Sequence, residues 1–180
     1  MSGKLVENKK NNVKIRRAHV KDAPILAKVH VESWHKAYRE IVPESFLEGF
    51  TYLKREVAFR EALINKTEET YIAEEGDNSV GILTVGESRD SDLDNKITSE
   101  IWGIYLMSDY WRRGIGTILV KEAECILRNS GYKEIVLWVL EANTVARKFY
   151  EAMGYLVDGK VKKVTLEKEL LAIRYHKSVV

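Results

Sequence analysis

The chain has 180 residues, the length of one domain with a substantial core. Hydrophobic residues make up 45% and charged residues 31%, a balance that excludes global disorder. The net charge is +2 and Cys125 is the single cysteine, so neither an intrachain disulfide nor a zinc site built on cysteine pairs can form, and a reducing, cytoplasmic setting is expected.

Residues 1–12 are polar and lysine-rich, without the apolar core of a secretory signal, and are expected to form a flexible tail on one domain spanning 13–180. Their few lysines lack interleaved aromatics, so no nucleic-acid partner is expected. No run approaches the ~18 apolar residues of a membrane span, so no membrane partner is expected either. Residues 13–18 alternate and read as a first strand. Asp22 is a candidate helix N-cap with Pro24 in the first turn, and Ile25, Leu26, Val29, Ser33, Trp34, Ala37, Tyr38 and Ile41 form a helical stripe up to Pro43. A second helix is expected over 52–64. Residues 70–74 and 79–87 read as a hairpin around Gly76, Asp77 and Asn78, followed by a charged loop over 89–96.

Residues 98–107 are apolar on both faces, as in a central strand, and Gly103 within them signals a bulge or a close backbone approach. A helix begins near Gly114, with Ile115, Ile118, Leu119, Ala123, Ile126 and Leu127 on one face, and stops at Asn129, Ser130 and Gly131. A strand over 134–140 follows. Asn143 opens a helix carrying Val145, Ala146, Phe149 and Met153, which Gly154 ends. Strands over 155–164 and 170–179 close the order β-α-α-β-β-β-α-β-α-β-β, a single mixed α/β (α+β) domain.

Chemistry concentrates in the strand–turn–helix from Ile101 to Thr117. Its turn carries Arg112, Arg113, Gly114 and Gly116. Glycines let a backbone approach a ligand closely, and the free N–H groups and dipole of a helix start favour phosphate. The segment lacks the Lys-Ser/Thr of a P-loop, and Leu119 stands where a dinucleotide fingerprint needs its third glycine. A glycine-bearing helix cap without a ligand is the plainer alternative.

Arg112-Arg113-Gly114-Ile115-Gly116, after a strand ending Ile104-Tyr105-Leu106, resembles the acyl-CoA-binding motif of the GNAT superfamily of N-acetyltransferases, Gln/Arg-x-x-Gly-x-Gly/Ala. Trp111 departs from it at the first position. Asn143, Ala146, Arg147, Phe149, Tyr150, Gly154 and Tyr155 resemble a second signature of that superfamily, and residues 15–22 with Trp34 and Tyr38 resemble its first strand and helix. The resemblance covers residues 13–178. It implies a central, mixed, mostly antiparallel sheet of about six to seven strands with about four helices.

It also implies a function: direct transfer of an acetyl group from acetyl-CoA to a primary amine of a small-molecule acceptor, in a ternary complex. The backbone of Ile104, Tyr105 and Leu106 would hold the pantetheine arm and thioester. The N–H groups of Arg113, Gly114, Ile115, Gly116 and Thr117, beside Arg112, would wrap the pyrophosphate, and Asn143 would contact the arm. Tyr150 would serve the leaving thiolate, and Trp34 and Tyr38 would border the acceptor. Glu100 is the base candidate, expected on the same strand face as Trp102 and Ile104. The four histidines do not group as metal ligands, and no metal is expected.

Charge is unevenly spread. Residues 67–100 carry ten acidic and two basic side chains between basic flanks. Glu87, Asp90, Asp92, Asp94 and Glu100 therefore suggest a cationic acceptor such as a polyamine; an aminoglycoside, an amino acid or a peptide α-amine also fits. A non-catalytic acyl-CoA-binding protein on the same fold is the alternative, and edge strands after Gly154 leave pairing into a homodimer open.

Overall fold

The computed structural model describes residues 6–8 and 12–180. Strand β1 (Val6–Asn8) and β2 (Val13–Arg17) lead through a 3-10 turn (Val20–Asp22) into α1 (Ala23–Ala37), α2 (Glu44–Gly49) and α3 (Tyr52–Asn65). Then come β3 (Glu69–Glu75), β4 (Asn78–Glu87), β5 (Thr98–Leu106), α4 (Ile115–Asn129), β6 (Glu134–Leu140), α5 (Thr144–Ala152), β7 (Leu156–Thr165) and β8 (Glu169–Ser178). Among the described residues there are thus eight strands and five α-helices, one strand and one helix beyond the expected numbers. The added strand is β1, which lies within the span read as a tail; the rest of that span, apart from residue 12, lies outside the described residues.

The added helix comes from the segment read as one long helix. Tyr38 ends α1 in a non-helical conformation, and Pro43 precedes a separate short helix. Asp22 stands before α1 but does not cap it. Its carboxylate instead accepts from the His19 N–H at 2.8 Å and from both Nη atoms of Arg16, at 2.8 and 3.1 Å.

The strands form one sheet in the order β1-β2-β3-β4-β5-β6-β8-β7, antiparallel except for β5 and β6. One face packs against α4, whose Ile115, Leu119, Ala123 and Leu127 bury against Leu83, Val85, Ile101, Ile135 and Leu137. Each such leucine, isoleucine or valine contributes about 1.5–3 kcal/mol when fully buried. The opposite face packs against α1 and α3 through Leu26, Val29, Phe59, Ile72 and Ile82. A third cluster joins Val42 and Leu47, around α2, to Leu140 and Ala172.

Two irregularities at the centre position the site. Strands β5 and β6 pair only through Thr98–Glu134, Ser99–Ile135 and Glu100–Val136. Beyond that point β5 stays with β4 and β6 stays with β8, so the sheet opens into a cleft. The register between β4 and β5 also slips: Thr84 faces Gly103 but Val85 faces Ile101. Trp102 is therefore the extra residue of a bulge.

Candidate active site

In an antiparallel pair, alternate residues turn their amide groups toward the partner and away from it. The Met107 N–H donates to Val80 O at 2.9 Å, which fixes that alternation along the end of β5. Ile104 and Leu106 aim their backbone groups into the cleft, while those of Tyr105 turn to β4. The expected backbone trio therefore divides: Ile104 and Leu106 face the cleft, and Tyr105 contributes its side chain on the other side. The Trp111 indole donates to Leu106 O at 2.7 Å, leaving the Leu106 N–H and both polar groups of Ile104.

At the head of α4, Gly114 holds φ = 81° and, having no side chain, caps nothing. The N–H groups of Ile115, Gly116 and Thr117 thus open the helix without a side-chain cap, a ready seat for phosphate. A Cβ on Gly116 would lie 3.3 Å from Phe149 Cζ, so glycine lets α5 approach this turn. The two arginines part company. Arg113 binds both carboxylate oxygens of Glu75, at 2.7 and 2.8 Å, and stacks on Tyr110. Arg112, in a left-handed conformation (φ = 59°), makes no ion pair among the described residues. Free amides along one strand and an uncapped, glycine-led helix start match the long, polar, pyrophosphate-bearing arm of acetyl-CoA.

Three tyrosines meet beside the cleft. Tyr150 on α5 is buried against Phe149 and Tyr155. Burial pushes its phenol far above the ordinary range, and the negative charge that Tyr38 or Tyr105 would carry adds to the shift. The phenol stays protonated, and its hydroxyl has no hydrogen-bond partner among the described residues. Burial also raises Tyr38, while a hydrogen bond to the Asn143 side chain acts the opposite way. Asn143 caps α5 as well, through Oδ1 and the Ala146 N–H at 3.1 Å. Sequence positions 38, 105, 143 and 150 are therefore neighbours in space.

Trp34 stacks on Tyr38 at 4.2 Å and packs on Phe50 at 4.8 Å. His30, one turn earlier, sits 4.1 Å from the Tyr105 ring. Its Nδ1 accepts from Arg55 Nε at 3.2 Å. Burial, and then the Arg55 charge, lower its pKa to about 3, so it is a neutral ring in an aromatic layer.

The bulge corrects the expected placement of Glu100. Glu100 and Tyr105 pair with Gly86 and Ile82, on the α1–α3 face, whereas Ile101 and Ile104 pair with Val85 and Leu83 on the α4 face. Glu100 does not share a face with Ile104. It is fully buried, and both its oxygens are engaged by Arg89: Oε1 by Nη2, Oε2 by Nε at 3.2 Å and by the backbone N–H at 3.1 Å. The Arg89 guanidinium also lies 4.5 Å from the Trp102 ring centre. Arg89 and Trp102 border a cavity of about 580 Å³ at the closed end of the sheet, with Glu68, Glu69 and Tyr132.

The acidic stretch is spent inside the molecule. Asp90 and Asp92 grip Arg174, joined by Asp158, at 2.6 to 3.0 Å; Asp92 also pairs with Lys160. Asp90 further accepts from the Trp138 indole at 2.9 Å. Asp94 caps a turn through the Lys96 N–H. Of the five acidic residues, only Glu87 keeps its carboxylate free of a partner among the described residues. The expected cationic-acceptor surface is thus an internal clasp. Arg89, Trp138 and Lys162 went unnoticed in the sequence, although Arg89 is one of only two basic residues over 67–100.

A sequence model of the acetyltransferase (GNAT) family matches residues 31–155. The chain belongs to the GNAT family. Its acetyl donor is acetyl-CoA. An uncharacterized N-acetyltransferase of Bacillus subtilis, YuaI, is 31% identical over 142 residues, 78% of each chain. A spermidine N(1)-acetyltransferase of Thermoplasma acidophilum is 29% identical over 154 residues, 82% of this chain and 90% of that one. A solved structure of the PaiA N-acetyltransferase of Thermoplasma acidophilum with coenzyme A superposes with a TM-score of 0.74, at 22% identity, over 92% of this chain and 98% of the other. GNAT membership accords with the single mixed sheet and the opening between β5 and β6. No helix among the described residues is long and apolar enough to cross a membrane.

Proposed function

We propose that this GNAT protein transfers the acetyl group directly to a primary amine of a small acceptor, with both substrates bound together. The reading is carried by one convergence: the free amides of Ile104 and Leu106, the uncapped start of α4 and the protonated phenol of Tyr150 all border the same opening. Ile104 and Leu106 hold the pantetheine arm, and the α4 N-terminus from Gly114 to Thr117, with Arg112 beside it, takes the pyrophosphate. Asn143 contacts the arm, and Trp34 and Tyr38 border the acceptor.

The amine nitrogen attacks the thioester carbonyl; the C–N bond forms, the C–S bond breaks, the electron pair leaves on sulfur, and the proton that the new amide nitrogen sheds passes to water. Backbone N–H groups of β5 stabilise the carbonyl oxygen as its charge develops. Tyr150 donates a hydrogen bond to the departing thiolate. Its raised pKa makes outright proton delivery to a thiolate of pKa near 8.5 unfavourable, so its contribution is charge stabilisation.

Glu100 is assigned the role of fixing Arg89, because both its oxygens are already occupied. The ammonium proton then leaves through water. An amine of pKa ~10.4 is ~0.04% free at pH 7, so kcat/KM should climb about tenfold per pH unit until the amine is deprotonated. A plateau near neutrality would instead mark a base within the protein.

The Thermoplasma relative's name keeps a polyamine among the acceptors to be tested; the acidic stretch does not favour one, being largely paired internally. The test is release of the coenzyme A thiol from acetyl-CoA, with Cys125 replaced to remove background, across polyamines, aminoglycosides, amino acids and peptides. Saturable acetyl-CoA binding without release on any of them would leave a binding protein.

A further inference from the structure

Two cations stand on the α1–α3 side of the split sheet, each backed by a tryptophan. Arg89 lies 4.5 Å from the ring centre of Trp102 on β5, and Lys162 Nζ lies 3.8 Å from that of Trp138 on β6. Register sets them on a common side: Glu100 aligns with Val136 across the parallel pair, Trp138 follows two residues on, and Lys162 joins it through Ala172 and β8. The two charges repel each other.

The two carboxylates that act on Lys162, Asp90 and Glu100, are already paired, whereas Glu68 beside Arg89 has no ion pair among the described residues. Glu100 belongs to Arg89, Asp90 and Asp158 to Arg174, and Asp92 to Arg174 and Lys160. Lys162 has neither ion pair nor hydrogen bond among the described residues, and Arg89 Nη1 has no partner among them. Lys162 is also half-buried. Burial lowers its pKa, as Arg89 and Arg174 do, while Asp90 and Glu100 oppose the shift. Unpaired, partly desolvated donors of like charge are costly unless something neutralises them.

We infer that the acceptor carries a carboxylate beside its primary amine, and that Lys162 and the free Nη1 of Arg89 bind this carboxylate on the acceptor side of the cleft. The acceptor is then an amino acid or similar amino carboxylate. This inference rests on the acetyl-transfer reading and narrows its substrate class. The tryptophans restrict both cations to one wall, and the carboxylate supplies charge-assisted hydrogen bonds to Lys162 Nζ and Arg89 Nη1, which have none among the described residues.

The test compares kcat/KM, each expressed per concentration of free amine, for amino carboxylates (α-amino acids, β-alanine, 4-aminobutyrate) with their methyl esters and with spermidine, at saturating acetyl-CoA. The carboxylate should be preferred over its ester by roughly tenfold or more. Lys162→Met should bring that ratio close to one, chiefly through KM. Lys163→Met should keep it, since Lys163 is exposed and paired with Glu169. Preference for spermidine or an ester, or an unaltered ratio in Lys162→Met, would overturn the inference while leaving acetyl transfer standing. If no amine is acetylated, the transfer reading falls, and calorimetry with the coenzyme A-loaded protein decides the inference alone. Carboxylate binding that Lys162→Met abolishes supports it; a carboxylate bound no more tightly than its ester sinks it.

Discussion

Tyr150 and His30 show how burial sets chemistry one side chain at a time. Both are shifted mainly by desolvation, and in both the neutral form is favoured. For Tyr150 that means a permanent hydrogen-bond donor beside the cleft. For His30 it means a cost on acidification. The unfolded chain takes up a proton near pH 6.5, whereas the native ring, with its pKa at about 3, does not. Stability attributable to His30 is present above pH 6.5 and is lost as the pH falls through the window between 6.5 and 3. Thermal unfolding should therefore show a loss of about 2 kcal/mol between pH 7 and pH 5 that is absent in His30→Gln; equal pH dependence in both proteins would refute this. Tyr150 was legible in the sequence because it sits inside a spaced signature. His30 was not, because nothing in a helical stripe says that four aromatic rings from α1, α2–α3 and β5 will close around one member of it.

At the scale of elements, the bulge in β5 decides most of the site. A Cβ on Gly103 would come within 2.5 Å of the Tyr105 ring, so the ring can fold back over the strand only because residue 103 has no side chain. Gly103→Ala should cost about 1–3 kcal/mol in urea unfolding and lower acetyl transfer by displacing Tyr105; a stable, fully active variant would show that this contact is idle. The glycine made an irregularity legible. The parity of Glu100 was not, since a bulge of unknown position reverses the alternation on which any such reading depends.

The loop between β4 and β5 presents a similar lesson. Its acids read as a surface field until Arg174, far away in sequence on β8, proves to be their counterion. Arg174→Met should lower the midpoint of urea unfolding, because it removes the buried guanidinium that is the common counterion of Asp90, Asp92 and Asp158. It should also raise the acceptor KM, since the clasp holds Asp90 against Trp138. A midpoint of unfolding within error of wild type would contradict the clasp.

Across the whole molecule, the order of elements was readable because periodicity, turn residues and glycine stops agreed along most of the chain. Two departures had physical causes. The apolar stripe of the first helix runs on through Tyr38 and Ile41, so nothing marked the break after Ala37. The strand at Val6–Asn8 lies in a stretch without alternation and gains its pairing only from β2. The cleft itself was not legible, because it comes from pairing that fails: β5 and β6 share three residue pairs and then separate. That separation exposes the strand amides, brings α5 and the end of α1 to the same opening, and sets Arg89 and Lys162 on one side of it.

The central claim is that this opening transfers an acetyl group. Coenzyme A thiol release from acetyl-CoA, measured with and without amines for the wild type and Tyr150→Phe, tests it most directly. The account predicts amine-dependent release that falls roughly a hundredfold in Tyr150→Phe, the loss of one donor to developing charge, while acetyl-CoA affinity is retained. Release equally fast in Tyr150→Phe, or release that ignores the amine, would contradict it.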